Sequence, residues 1–269
     1  MSRRARLDTE LVRRGLAPSR EQAAALVAAG RVSVGGRAAV KPASQVLTGD
    51  PIVVTASPAG PDYVSRGGHK LAGALDVFQA RGLQVQGRRC LDAGASTGGF
   101  TDVLLRRGAG HVVCVDVGYG QLAWSLQTDE RVSVLDRTNV RDLDPGLVGA
   151  PVALVVADLS FISVRLVLAA LQRCAEADAD LLPMVKPQFE VGRERLGDGG
   201  VVRDPALRAD AVRAVATTAY DELGLGVLGV TASPLPGPAG NVEYFLWLRR
   251  DAPALDPAEL AAAVEAGPR

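Results

Sequence analysis

The 269-residue sequence has few of the side chains that build disulfide frameworks or metal sites. It contains only two histidines, and its three cysteines (Cys90, Cys114 and Cys174) lie far apart in apolar segments. A disulfide scaffold and a metal centre are therefore not expected, and the prediction is three buried, reduced thiols.

Long apolar runs are also missing. No stretch approaches the roughly 18 apolar residues that span a bilayer. The basic first residues are followed by Asp8 and Glu10 rather than by the apolar core of a signal peptide. The sequence thus predicts a soluble, cytoplasmic protein without membrane association, and it leaves the oligomeric state open.

Charge is balanced over the whole chain but not along it. Residues 1–50 carry nine basic and four acidic side chains, a net charge of +5, which indicates a phosphate-bearing partner. Only three of the 30 basic residues are lysines, Lys41, Lys70 and Lys186. Because lysine, unlike arginine, can lose its proton when desolvated, each lysine is a candidate for chemistry.

Two short helices and a small hairpin are predicted near the N-terminus. Leu7 and Leu11 share one helical face, Ser19 can cap the second helix, and Gly35-Gly36 can turn the hairpin. This pattern resembles the S4 RNA-binding domain, which implies that its basic side chains bind structured RNA. Some of them can equally be ordinary solvated helix residues. The candidates are Arg4, Arg6, Arg13, Arg14, Arg20 and Lys41.

Strands and helices alternate from Arg88 onward, as expected for an α/β fold with a doubly wound parallel sheet. We predict an S4-like α+β domain over 1–55, a linker over 56–62, a Rossmann-like domain over 63–250 and a C-terminal tail over 251–269. Within the second domain, a helix is expected over 163–175 and a strand over 179–185. Lys70 is expected in the first turn of a helix that begins near Ser65.

The segment from Arg89 to Thr101 predicts a strand, a glycine-rich turn and a helix. Glycines at such a turn let the backbone approach a ligand. The spacing is not that of the dinucleotide fingerprint, and an acid two residues before the first glycine suggests a loop for S-adenosylmethionine. A turn that only packs a helix on a sheet is the alternative. The candidate cofactor residues here are Asp92, Gly94, Ala95, Ser96, Thr97, Gly98, Gly99 and Phe100.

Later strand ends supply further candidates. Asp116 ends the second strand about 24 residues after Asp92, where an acid of a Rossmann-type fold accepts hydrogen bonds from a ribose. Asp136 and Arg137 follow the third strand and are candidates for the adenine side of the cleft. Asp158 ends the fourth strand, an unbroken apolar run typical of a buried parallel strand.

Four charged residues occur in an order that carries a resemblance of its own. Lys70, Asp158, Lys186 and Glu243 match the Lys-Asp-Lys-Glu tetrad of ribose 2′-O-methyltransferases. The phrases YVSRGGHKL, LDAGASTGGFTDVLL, VADLSFIS, MVKPQFE and GPAGNVEYFLWL resemble the TlyA family, S4-containing rRNA methyltransferases also called haemolysin-like. The resemblance implies S-adenosyl-L-methionine as cofactor and cytidines of 16S and 23S rRNA, free or in ribosomal subunits, as substrate.

The tetrad suits the chemistry that this resemblance implies. A ribose 2′-hydroxyl is a poor nucleophile, so its proton must be removed or its oxygen polarised. We take Lys186 as the base and Lys70 as a neighbouring cation, with Asp158 and Glu243 orienting the two amines. Structural ion pairs between these residues are the alternative.

Other functions fit the sequence less well. After the fourth strand stands Asp158-Leu-Ser-Phe161, not the Asn/Asp-Pro-Pro-aromatic motif of base-amino methyltransferases. No cysteine looks exposed enough for the covalent mechanism of base-carbon enzymes. Pseudouridine synthases with S4 domains would lack the loop around Gly94. Membrane lysis lacks a suitable helix. A non-catalytic RNA- or ribosome-binding module stays open as the main alternative.

Overall fold

The computed structural model describes residues 4–17, 19–55 and 62–268. The chain divides into two units, one of residues 1–64 with 123–125 and one of 65–122 with 126–269. Of the predicted linker over 56–62, only Asp62 lies inside the described residues. The domain boundaries proposed from the sequence stay a prediction.

The first unit begins with a short strand that the sequence analysis did not predict. Its basic triplet pairs antiparallel with β4, while β2 pairs antiparallel with both β3 and β5. The two helices pack on these strands through a small core that includes Leu7, Leu11 and Val27. Its elements are β1 (Arg4–Arg6), α1 (Leu7–Arg13), α2 (Arg20–Ala28), β2 (Val32–Val34), β3 (Arg37–Ala38), β4 (Gln45–Leu47) and β5 (Ile52–Val54).

The remaining elements alternate between helices and strands. They are α3 (Arg66–Gln79), β6 (Arg89–Ala93), α4 (Gly99–Arg106), β7 (His111–Val115), α5 (Trp124–Gln127), β8 (Val132–Leu135), α6 (Pro145–Val148), β9 (Val152–Ala157), α7 (Leu168–Arg173), β10 (Ala175–Val185), α8 (Pro187–Glu190), α9 (Pro205–Leu223), β11 (Leu225–Ala232), β12 (Tyr244–Arg250) and α10 (Pro257–Glu265).

Seven strands form one sheet in the order β11-β12-β10-β9-β6-β7-β8. The five from β10 to β8 are parallel, and β12 pairs antiparallel with both β10 and β11. The predicted α/β fold class is confirmed. Strand order reverses between β6 and β9, and ligands of such sheets bind beyond the carboxyl ends of the strands at that point.

Two predictions about local structure are wrong. The helix expected over 163–175 is a 3-10 turn at Val164–Leu166 followed by the shorter α7, and Ala175 already begins β10. The first half of β10 alternates alanine with acids, which strands rarely favour, so its sequence does not resemble a strand. Lys70 is the fifth residue of α3, so it lies in the second turn of the helix, not the first.

The end of the chain contributes to the main core. Asp204 and Asp256 cap the N-termini of α9 and α10. Each carboxylate accepts a hydrogen bond from the backbone amide of the residue two positions later, Ala206 or Ala258. Leu260 and Ala263 of α10 belong to the same apolar cluster as the central strands. The last helix is therefore packed into the core of the second unit, to which it belongs.

Candidate active site

The loop after β6 is shaped by glycine. Gly94 has φ +83°, and a Cβ there would lie 2.4 Å from the backbone oxygen of Asp158. This backbone conformation favours glycine, and the close approach of Asp158 leaves no room for a Cβ. The loop after β6 and the segment after β9 are thereby brought into contact at the point where the strand order reverses.

Asp116 ties this loop to the end of β7. Its carboxylate accepts hydrogen bonds from the backbone amides of Ser96 at 2.8 Å and Gly118 at 2.7 Å. A carboxylate has about four lone-pair sites, so capacity remains for hydroxyl groups of a ligand.

Two neighbouring clefts open at this edge of the sheet and share Gly94, Ser96 and Asp158. One has a volume of about 380 Å³ and is lined largely by apolar side chains together with Asp116 and Asn139. The other, of about 230 Å³, lies against the start of α3 and includes Lys70. Asp158 stands where the two clefts meet.

The predicted cofactor residues divide into two groups. Those that line a cleft are Gly94, Ala95, Ser96, Thr97, Gly99, Phe100, Asp116 and Asp158. Four others, Asp92, Gly98, Asp136 and Arg137, line neither. A Cβ at Gly98 would meet Leu122 and Leu126, Asp136 accepts a bond from the Gly120 amide, and the Arg137 guanidinium lies over the Tyr119 ring.

The tetrad forms two acid–amine pairs. Lys70 Nζ lies 2.5 Å from Glu243 Oε2, and Lys186 Nζ lies 2.6 Å from Asp158 Oδ1. Both lysines and Glu243 are buried, whereas Asp158 is partly exposed. Since Lys70 and Asp158 line the same cleft, the two pairs face one ligand space.

Sequence reasoning missed two side chains beside Asp158. Ser160 accepts a 2.9 Å hydrogen bond from Lys186 Nζ. Phe161 lines the larger cleft with φ +64° and packs against Phe189. Their position directly after the strand-ending acid was the only available signal.

Glu190 connects the segments that carry the second pair. Its buried carboxylate accepts hydrogen bonds from Ser163 Oγ at 2.6 Å, the Val164 amide at 2.7 Å and Arg165 Nε at 3.1 Å. Because Glu190 ends α8, which follows Lys186, these bonds hold the segment after β9 against the segment after β10.

Asp92 is fully buried beneath the glycine-rich loop. Its Oδ2 accepts a 2.7 Å hydrogen bond from Thr101 Oγ1, and Oδ1 has no partner among the described residues. Burial raises the pKa of Asp92 to about 7, and the nearby carboxylates of Asp158 and Asp116 add to that shift against the opposing Thr101 bond.

We therefore expect Asp92 to make stability depend on pH. Its folded pKa exceeds the unfolded value of about 3.9, so the folded state binds the proton more tightly. Relative to Asp92→Asn, the wild-type free energy of unfolding should fall between about pH 4 and pH 7, at up to about 1.4 kcal/mol per pH unit. Urea unfolding of both proteins across this range is the measurement. If the free energy of unfolding of the wild type minus that of Asp92→Asn stays constant or rises with pH, the raised pKa of Asp92 is contradicted.

The three cysteines are free and buried, as predicted. Burial raises the pKa of Cys90 to about 12 and also raises the pKa of Cys114 and Cys174. A thiol held in its neutral form is a poor nucleophile, so covalent catalysis through these cysteines is not supported.

The described residues contain no group of three or more histidine, cysteine, aspartate or glutamate side chains that could hold a metal ion. None of their helices combines the length and apolar character needed to cross a membrane.

Most of the six predicted RNA-binding side chains are exposed. Arg14 is the partly buried exception, and Arg4 and Lys41 lie on the surface of the first unit. Four of the arginines contact buried acids of α1: Arg6 and Arg20 contact Asp8, and Arg13 and Arg14 contact Glu10.

Comparison with known families gives a consistent result for both parts of the chain. Residues 63–250 match the FtsJ-like methyltransferase family, and residues 5–52 match the S4 domain.

Three individual relatives cover between 76% and 98% of the chain. A Mycobacterium tuberculosis (strain H37Rv) protein named 16S/23S rRNA (cytidine-2′-O)-methyltransferase TlyA is 64% identical over 250 residues, covering 93% of this chain and 91% of that protein. A solved Streptococcus thermophilus structure named as a hemolysin is 37% identical with a TM-score of 0.74, covering 98% and 96% of the two chains. A Lactococcus lactis structure of the same name is 41% identical with a TM-score of 0.70, covering 76% and 97%.

Proposed function

The chain belongs to the FtsJ-like methyltransferases and, within them, to the TlyA family, and from this premise we propose that it methylates the 2′-oxygen of cytidine in ribosomal RNA. The observation that carries the proposal is the pairing of two buried lysines with two carboxylates around one cleft. The methyl donor is S-adenosyl-L-methionine, and the S4 domain supplies a binding surface for RNA.

The clefts suit this donor. Val117, Val140 and Ile162 offer an apolar surface for the adenine ring, and the spare capacity of Asp116 suits ribose hydroxyls. Asp158 and the loop from Gly94 to Thr97 are left for the amino-acid end. When bound, S-adenosylmethionine supplies an electrophilic methyl group on a positively charged sulfur.

In this proposal Lys186 receives the proton of the ribose hydroxyl. Its amine nitrogen has two fixed partners, Asp158 Oδ1 at 2.6 Å and Ser160 Oγ at 2.9 Å. An amine nitrogen offers three positions besides its stem, so one remains for the substrate oxygen. Two fixed partners also limit the rotation of the side chain.

In this proposal Lys70 and Glu243 stabilise charge rather than transfer a proton. The short contact to Glu243 holds the Lys70 ammonium at the cleft, where a positive charge stabilises the negative charge that develops on the 2′-oxygen. Glu243 itself is buried and balances the lysine charge. The two amines therefore divide the work between proton transfer and charge stabilisation.

We further propose that the substrates are 16S and 23S rRNA within ribosomal subunits, and that the protein acts in the cytoplasm. The M. tuberculosis relative is named for both RNAs. The basic first 50 residues support binding to a large RNA, because neutralised phosphates dominate such affinity. A non-catalytic scaffold would not require two acid–amine pairs with buried lysines beside a cofactor cleft.

The direct test is mass spectrometry of rRNA fragments from cells with and without this protein. We expect one or more cytidines to lose 14 mass units on the ribose in the cells that lack it. Purified protein, S-adenosylmethionine and unmodified subunits should restore the same mark. Methylation on a base, or no difference between the cells, would refute the proposal.

Cofactor binding provides a residue-level prediction. We expect Asp116→Ala to weaken S-adenosylmethionine binding by about 10- to 100-fold. The variant loses hydrogen bonds between the ribose and a charged acceptor, and such bonds contribute ~1.5–3 kcal/mol. Isothermal titration calorimetry is the measurement. Asp136→Ala is the matched control, because Asp136 bonds the Gly120 amide and lines neither cleft. An equal loss of S-adenosylmethionine affinity in both variants would contradict binding of the ribose hydroxyls by Asp116.

A further inference from the structure

Asp8 of α1 joins two of the proposed RNA-binding arginines. Arg6 reaches it through Nε at 3.1 Å and Nη2 at 2.8 Å, and Arg20, at the start of α2, through Nη2 at 3.0 Å. Both Nη2 atoms contact the same oxygen, Oδ2. We refer to Arg6, Asp8 and Arg20 as the Asp8 cluster.

The carboxylate of this cluster is buried, while its arginines are open to solvent. Asp8 is 4% exposed, whereas the Arg6 and Arg20 side chains are 46% and 60% exposed. The Arg6 hydrogen bonds, followed by those of Arg20 and the Thr9 amide, hold the pKa of Asp8 well below its usual range despite its burial. The acid therefore stays charged at neutral pH and faces the protein.

The second acid of α1 holds its arginines differently. Arg14 directs Nε to Glu10, Nη1 to the Asp50 carbonyl and Nη2 to the Thr48 carbonyl, all within 3.0 Å, and its side chain is only 21% exposed. These contacts fasten α1 to the turn between β4 and β5. Arg14 therefore has a structural explanation that does not involve RNA.

Donors remain available in the Asp8 cluster. A guanidinium has five N–H groups, and Arg6 uses two of them on Asp8 while Arg20 uses one. Within residues 4–17, 19–55 and 62–268, Arg20 Nε and Nη1 of both arginines donate no hydrogen bond. Two guanidinium groups with free donors are thus held side by side on the surface.

We propose that Asp8 is a positioning residue that holds Arg6 and Arg20 together as a clamp for an RNA phosphate. Two guanidinium groups repel each other, and each long side chain loses rotamer entropy when it is fixed. A shared buried carboxylate offsets the repulsion and orders both side chains before RNA arrives. An arginine can bind phosphate through two parallel N–H···O bonds, and a side chain ordered beforehand loses less entropy on binding.

This inference rests on the proposed function, because it assigns part of the RNA contact, and it predicts an unusual sign. Asp8→Asn removes a negative charge from a protein that binds a polyanion. If charge alone mattered, the variant would bind RNA more tightly. The slope of log K against log salt concentration would also steepen by about one released counterion. We expect the reverse, a roughly tenfold weaker binding, since two flexible side chains must then be ordered on binding.

The experiment uses the full chain and unmodified small ribosomal subunits, which contain 16S rRNA, at fixed salt. Glu21→Gln, which makes the same charge change at an exposed acid of α2, is the matched control and should bind as the wild type or slightly more tightly. Asp8→Asn should raise the KM for RNA more than it changes kcat. In an Arg20→Gln background, Asp8→Asn should add much less to the loss.

A second variant covers the case in which Asp8→Asn fails to fold. Arg6→Lys keeps the charge and removes the two-point contact with Asp8, so this variant should bind RNA several-fold more weakly. Arg4→Lys makes the same substitution outside the cluster and should lose less RNA affinity. Unchanged or tighter RNA binding by folded Asp8→Asn, or by Arg6→Lys, overturns the clamp. Wild-type protein that neither binds nor methylates rRNA refutes the proposed function instead.

Discussion

Lys186→Arg is expected to lower the single-turnover rate of rRNA methylation by a factor of about 10² to 10⁴, the range that general base catalysis contributes. Arginine keeps the positive charge near Asp158 but does not give up its proton, so it cannot accept one from the ribose hydroxyl. Rates should be measured at saturating S-adenosylmethionine, with calorimetry to show that the variant still binds it.

Lys70→Arg is the matched comparison, because it makes the same substitution in the other acid–amine pair. If Lys70 acts through its charge, arginine preserves part of that effect, and the rate should fall less than in Lys186→Arg. Equal losses in the two variants would argue that both lysines serve charge alone. A Lys186→Arg protein with the wild-type rate would remove Lys186 from proton transfer.

The second large effect concerns the stability of the Lys70–Glu243 pair. Glu243→Leu leaves the Lys70 ammonium buried without its carboxylate, and breaking a buried pair in this way typically costs ~3–5 kcal/mol. That is a large fraction of the ~5–15 kcal/mol that keeps a domain folded. Urea unfolding of the variant and of the wild type measures the loss.

The double variant Lys70→Met/Glu243→Leu separates structure from catalysis. Replacing both charges by apolar side chains of similar size is often neutral for stability, so most of the lost free energy should return. Methylation should not return, because the positive charge at the cleft is still missing. A stable double variant with wild-type activity would mean that the pair is only structural.

Much of the second unit could be predicted because its strands are apolar runs that end in an acid or a glycine. Residues 111–115 and 152–157 are examples, and each strand ends one residue before the acid, Asp116 or Asp158, that was predicted to end it. The start of β10 was missed because Ala175 to Asp178 lack branched or aromatic side chains, and pairing with β9 decides their conformation. β1 was missed because three residues are too few to show a period.

The candidate site was predictable by chain position but not by side-chain direction. Sequence places Asp92 and Asp116 alike at the ends of parallel strands. In the structure Asp116 reaches the cleft, while Asp92 points beneath the loop to Thr101. Likewise, a basic triplet at the N-terminus cannot reveal that Arg6 is tied to Asp8, because that contact depends on how the strand enters α1.

The distance along the chain between Lys70 and Glu243 has a consequence for biosynthesis. The two partners are 173 residues apart in sequence, although their side chains touch. At about 5–20 residues per second, translation adds Glu243 on the order of ten seconds or more after Lys70. During that interval Lys70 lacks its partner Glu243. Under the role proposed for this pair, methylation can begin only after Glu243 has been added, late in synthesis.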